Sequence, residues 1–125
     1  MITAATEKDY PEIIRVWEQS VRATHYFLPE EYLQEIKTLL PSILPAVQLF
    51  VAQDNNKIDG FLGVAEQKIE MLFIQPESRG KGIGKQLTAF AIQELQANKV
   101  DVNEQNEQAT GFYQRMGFVV TGREE

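Results

Sequence analysis

Apolar residues along the chain recur at two spacings, and the alternation between them predicts the order of elements. Ile2 to Ala5 reads as a short strand. Thr6 or Asp9 then offers an N-cap side chain, and Pro11 suits a first helical turn. Ile13, Ile14, Trp17 and Val21 follow at helical spacing, so Pro11 to about Arg22 is expected as an amphipathic helix. After a break at His25–Pro29, a second helix carries Tyr32, Leu33, Ile36, Leu39 and Leu40, and the prolines at 41 and 45 are expected to end it. Gln48 to Gln53 reads as a strand, 54–57 as a turn, and Ile58 to Glu66 as the returning strand of a hairpin. Ile69 to Ile74 is a further strand, closed by Gln75-Pro76. Ile83, Leu87, Phe90, Ala91 and Leu95 then mark a helix of about four turns. Lys99 to Val102, a helix near Asn106 to Met116 capped by Gly117, and a strand from Phe118 to Thr121 complete the chain. The expected fold is α/β (α+β), a mixed sheet with helices on its faces, in a single domain spanning 1–125.

Composition narrows the chemistry. There is no cysteine and one histidine, so a thiolate metal site, an iron–sulfur cluster, a cysteine nucleophile and a multi-histidine metal site are all excluded, and no metal is expected. With 18 acids against 12 bases the net charge is −6, which disfavours a nucleic-acid partner and favours cationic ones. The N-terminus lacks a basic start followed by an apolar run, and the most apolar region, Leu39 to Ala52, is broken by two prolines. A cytoplasmic protein with no membrane partner is the expectation.

One segment concentrates positive charge in this acidic chain. After the strand ending at Ile74 comes a loop with Gly80, Gly82 and Gly84, interleaved with Arg79, Lys81 and Lys85, and the loop opens a helix. Glycines allow positive φ and close backbone approach, and the first amides of a helix are free to bind an anion. The pattern predicts a phosphate or pyrophosphate site, the alternative being that the three glycines simply make a tight strand-to-helix turn. It is not a P-loop, because Arg79 and Gln86 stand where glycine and Ser/Thr are required. It is not a dinucleotide fingerprint either, because Lys85 takes the place of the third glycine.

Arg79-Gly80-Lys81-Gly82-Ile83-Gly84 resembles the Arg/Gln-x-x-Gly-x-Gly/Ala signature of the GCN5-related N-acetyltransferases. The later segment VNEQNEQATGFYQRMGF is similar to a second part of that family's pattern, with Asn106, Ala109, Tyr113, Gly117 and Phe118 in the recurring places. The order of elements agrees over essentially the whole chain. The resemblance implies a mostly antiparallel central sheet and an N-acetyltransferase that passes an acetyl group from acetyl-CoA to a primary amine, on a small molecule or a protein, by direct attack on the thioester. It implies that amides of Gly80, Lys81, Gly82, Ile83, Gly84 and Lys85 hold the coenzyme A pyrophosphate, with Arg79 and the lysines adding charge. Leu72, Phe73 and Ile74 would run beside the pantetheine arm, and Asn106 would bind the cofactor; as a residue in isolation Asn106 reads equally as a helix-start residue.

This chemistry needs a base and an acid. At pH 7 only about one lysine-like amine in 2,500 is neutral, so making the nucleophile costs about 4–5 kcal/mol without help. Glu70, just before the loop, is the candidate base, though strand alternation alone would make it a solvent-facing residue. Glu66 and His25 rank below it. Tyr113 is the candidate acid for the leaving thiolate, and by spacing alone it reads as a core aromatic with Ala109, Phe112 and Met116. A backbone N–H around Phe73 would stabilise the oxyanion. Tyr26, Phe27 and Tyr32 are candidates to line the acceptor pocket.

The family's last strand is missing from the expected order: Thr121 to Glu125 reads as too short and too charged to form it. An open edge invites a partner, so a homodimer is one expectation. A catalytically weak or inactive acetyl-CoA- or CoA-binding module is the alternative to an active enzyme.

Overall fold

The fold is described from a computed structural model, covering residues 1–24, 29–103, 115 and 119–124. Its centre is a six-stranded sheet with strands in chain order: β1 (Ile2–Ala4), β2 (Gln48–Asp54), β3 (Lys57–Ala65), β4 (Lys68–Ile74), β5 (Lys99–Asn103) and β6 (Val119–Glu124). The first four pair antiparallel, and β4–β5 and β5–β6 pair parallel. Helix α1 (Tyr10–Thr24) and α2 (Glu30–Ile43) cover one face, and α3 (Ile83–Leu95) covers the other. Two hairpin turns run through positive φ: Asn55 and Asn56 between β2 and β3, a residue type that accepts it readily, and Glu66 and Gln67 between β3 and β4, which adopt it without that preference. The mixed, mostly antiparallel sheet matches the expectation. The last expected helix, Asn106 to Met116, lies outside the described residues, apart from Arg115, which is helical.

The faces of the sheet divide the core. Ile13, Val16, Trp17 and Val21 of α1 and Leu33 and Leu40 of α2 pack on Leu49, Val51 and Phe61. On the other side, Leu87 and Ala91 of α3 pack on Leu62, Val64 and Ile69. Phe61 and Phe73 stack across neighbouring strands with ring centroids 5.5 Å apart.

Two boundaries differ from the sequence pattern. Pro41 does not end α2, which runs on to Ile43 before a 3₁₀ turn at Leu44–Ala46. The capping N–H of Leu44 reaches Leu40 O, and both leucines are buried. Burying two leucines is worth roughly 3–6 kcal/mol, enough to offset the roughly 3 kcal/mol that proline costs inside a helix. Strand β6 extends past Thr121 to Glu124, with Gly122, Arg123 and Glu124 opposite Asp101, Val102 and Asn103. Ladder bonds are made by the backbone, so a charged sequence can still supply an outer strand.

Two β-bulges shape the region around the glycine loop. In β3 the register shifts by one at Asp59, and in β4 it shifts by one at Glu70, so each is an extra residue on its strand. A bulge bends its strand and re-aims a side chain. Here it lets Ile69 join the α3 side of the core while Met71 and Phe73 stay on the α1–α2 side.

Candidate functional site

The glycine loop grows directly out of β4. Gln75 N–H donates to Asp59 O at 2.7 Å, a 3₁₀ turn follows at Pro76–Ser78, and the Ser78 hydroxyl donates to the bulged Asp59 carboxylate at 2.8 Å. These bonds fix the start of the loop to β3. Gly80 and Gly82 then take φ of +82° and +81°, with open space where a Cβ would stand. Glycine is needed there for its backbone conformation. Gly82 is the N-cap of α3 and has no side chain to cap it. The first intrahelical bond is Gln86 N–H to Gly82 O at 3.0 Å, so the amides of Ile83, Gly84 and Lys85 precede the helical ladder. Three such amides at a helix start stand beside exposed Lys81 and Lys85, a cradle whose chemistry suits an anion. Neither lysine has an ion pair among the described residues.

Arg79 also has a partner within the fold. Its guanidinium donates to the Ser20 hydroxyl on α1 at 3.0 Å, and Ser20 is buried. The arginine of the signature therefore ties the loop to the α1–α2 side, and because Ser20 is neutral the guanidinium keeps its charge beside those of Lys81 and Lys85.

Beside the cradle, the edge of β4 opens. β4 pairs with β5 only at Lys68↔Lys99 and Ile69↔Val100, after which no described strand pairs with that edge. Because Gln75 N–H points to β3, the alternation of an antiparallel ladder puts the amides of Phe73 on the same side. The groups facing the open edge are those of Leu72 and Ile74. Around Phe73 the amides that face the open edge are thus those of its two neighbours.

On the α1–α2 face a pocket of about 440 Å³ lies against the same strand. Trp17, Leu40, Ile43, Val47, Met71 and Phe73 form its apolar wall, and Glu70 is the one charged group among the described residues lining it. The bulge that adds Glu70 to β4 brings its carboxylate here, and Lys68 Nζ stands 3.8 Å from it. Periodicity alone could not place Glu70, because a bulge interrupts the alternation by which sides are assigned. Glu66 sits in the β3–β4 turn and is not among the residues lining this pocket, although its neighbour Ala65 is. Tyr32 is on α2, half exposed and outside the lining. His25, Tyr26, Phe27, Asn106, Ala109, Tyr113, Gly117 and Phe118 lie outside the described residues. Among those described, no three His, Asp or Glu side chains gather as metal ligands would. No described helix is long and apolar enough to cross a membrane.

Comparison with known proteins agrees with this geometry. The sequence profile of a family described as acetyltransferase (GNAT) domain matches residues 14–125. The chain is 41% identical over 125 residues to the peptidyl-lysine N-acetyltransferase YjaB of Escherichia coli K12, covering 99% of this chain and 85% of that protein. The solution structure of apo YjaB from Escherichia coli superposes with a TM-score of 0.82, covering 100% of this chain and 86% of that one. A PaiA N-acetyltransferase from Thermoplasma acidophilum, solved with coenzyme A, shares the fold at 23% identity with a TM-score of 0.79, covering 97% of this chain and 90% of that one.

Proposed function

The chain belongs to the GNAT acetyltransferases, an N-acetyltransferase using acetyl-CoA as cosubstrate, and we propose that the amine it acetylates is the ε-amino group of a lysine in a protein. The observation that carries the reading is the meeting of two features. The edge of β4 is open beyond Ile69, and at its end stands a helix N-terminus with three amides ahead of its ladder. An extended, amide-bearing chain ending in a pyrophosphate fits both. The 41% identity to a peptidyl-lysine N-acetyltransferase supports lysine as the acceptor. The pocket supports it too, with apolar walls for an aliphatic stem and one carboxylate for its ammonium end.

In the proposed mechanism the amides at Gly80 to Lys85 hold the pyrophosphate, and the open-edge groups of Leu72 and Ile74 pair with the pantetheine arm; Asn106 is a further contact to it. Glu70 attracts the lysine ammonium and takes its proton, directly or through a water. The freed amine attacks the thioester carbonyl, the new C–N bond forms, and an amide on the open edge of β4 stabilises the oxyanion. The C–S bond then breaks, the Tyr113 hydroxyl protonates the departing thiolate, and the second proton lost from the new amide nitrogen passes through water to restore the phenol. We place the reaction in the cytoplasm, with no nucleic-acid or membrane partner, and assign the outer edge of β6 to a second copy of the chain in a homodimer.

Incubation of the chain with acetyl-CoA and a lysine peptide, read by thiol release and by the acetyl mass shift on the peptide, tests the reading. Acetyl-lysine formation that falls at least about a hundredfold in Glu70→Gln and Tyr113→Phe is expected, the scale of a lost general base or acid. Binding of acetyl-CoA with no turnover on any amine would leave only a cofactor-binding module.

A further inference from the structure

Helix α2 carries an apolar strip that leads into the pocket. Leu39 is 55% exposed, Tyr32 52% and Ile43 39%, the three large apolar side chains other than Met1 that stand out in solvent among the described residues. Spaced at four and seven, they share one side of the helix. Ile43 also lines the pocket that holds Glu70, so the strip and the pocket form one continuous surface. Beside the strip run Glu31 and Glu35, one turn apart, both exposed and without an ion pair among the described residues. Their neighbours differ: Glu30 is committed to Arg22 and Lys37 to Glu18.

We infer that this strip reads the protein substrate around the target lysine, taking an apolar residue on Leu39 and Tyr32 and a basic residue at Glu31 and Glu35. The inference rests on the lysine reading above. Three observations select a substrate segment as the occupant. The strip ends in the pocket that would take the lysine side chain. Its rim is acidic, which suits the basic surroundings of a lysine. The whole chain carries −6, which draws the same kind of partner.

Helix geometry sets the spacing. Leu39 lies one turn from Ile43, about 6 Å along the axis, and Tyr32 about 16 Å. An extended peptide advances about 3.3 Å per residue, so Leu39 meets a residue about two positions from the lysine and Tyr32 one about five positions away. Glu35, about 12 Å along, meets a residue about four positions away.

Two peptides of equal length test this on the full chain. One has Leu two positions and Arg four positions from a single lysine, on both sides; the other has Ser at all four places. The Leu/Arg peptide should show a KM lower by about tenfold, the scale of one leucine contact, with kcat unchanged. Leu39→Ser, at an exposed site, should erase the Leu preference and leave kcat and the Ser peptide unaffected. Glu31→Lys with Glu35→Lys should reverse the preference for Arg. Equal KM values in the parent chain, or a preference that neither Leu39→Ser nor the Glu31 and Glu35 exchange reduces, would overturn the assignment. So would sedimentation showing a dimer that Leu39→Ser dissociates, since a second copy would then occupy the strip. If neither peptide is acetylated while a small polyamine is, the lysine reading itself falls and the strip's role with it.

Discussion

Arg79 heads the glycine loop, and its guanidinium reaches the buried Ser20 hydroxyl, 59 positions away in the chain. A hydrogen bond from a charged donor to a buried acceptor is worth about 1.5 kcal/mol or more, less where the donor is as exposed as Arg79. The bond holds the glycine loop against the helix that walls the Glu70 pocket. Arg79→Ala and Ser20→Ala should therefore weaken acetyl-CoA binding by similar factors, about three- to tenfold, and the double substitution should do no more than either. A double-mutant cycle by titration calorimetry measures this. Were Arg79 to act as a charge on the pyrophosphate, Ser20→Ala would leave affinity unchanged. The residue types of the loop were readable from spacing, and so was the positive φ its glycines adopt. The partner of Arg79 was not, because a contact across 59 positions is set by how α1 lies on the sheet. Glu70 shows the same divide: its type made it a candidate base, but its place in the pocket lining follows from the bulge in β4.

At the scale of elements, α3 and the α1–α2 pair make separable contributions. Lys85 is exposed in the first turn of α3. A carboxylate there suits the helix dipole, by about 0.3–1 kcal/mol, but opposes a bound phosphate. Lys85→Glu should keep or raise the melting temperature while weakening acetyl-CoA at least tenfold. Gly84→Ala should bind normally, because its Cβ would meet only Ile74 Cγ1 at 3.9 Å. Paired melts and titrations separate stability from binding in both variants. Between α1 and α2, Arg22 grips Glu18 and Glu30 at 2.8 Å each, and Lys37 reaches Glu18 at 2.7 Å. The Arg22 hydrogen bond, with help from Gln34, holds the Glu30 carboxyl down to about 2. A depressed carboxylate stabilises the fold above its unfolded value, and that contribution drains away as pH falls from about 4.5 toward 2. Glu30→Gln should flatten this part of the acid slope in melts taken between pH 5 and 2, and 1 M salt should do the same to the parent chain. Helical periodicity located both helices, yet it ended α2 too early at Pro41, since the burial of Leu40 and Leu44 that overrides a proline is a tertiary effect.

Seen whole, the sheet is two ladders joined at a narrow seam. Four antiparallel strands lie on one side, the parallel pair β5–β6 lies on the other, and only two residue pairs link β4 to β5. The order of strands and helices along the chain was legible from the two apolar spacings, but the parallel pairing of β4 with β5 through the α3 crossover was not, because it is set in the folded sheet. The early parting of β4 and β5 was not, since it depends on where a bulge bends the strand. A cosubstrate arm lying along Leu72 and Ile74 would bridge the two ladders and bind only the folded state. At a hundred times Kd such a ligand adds about 2.7 kcal/mol to stability, which for a chain of this length raises Tm by about 8–12 °C. Hydrogen exchange gives the sharper readout. On adding acetyl-CoA, the amides of Leu72 and Ile74 should slow by at least about tenfold, together with those of Ile83 to Lys85, while the Phe73 amide, which already faces β3, should change little. Equal protection of Phe73 and its neighbours would mean that the cosubstrate stiffens the sheet without pairing with its open edge.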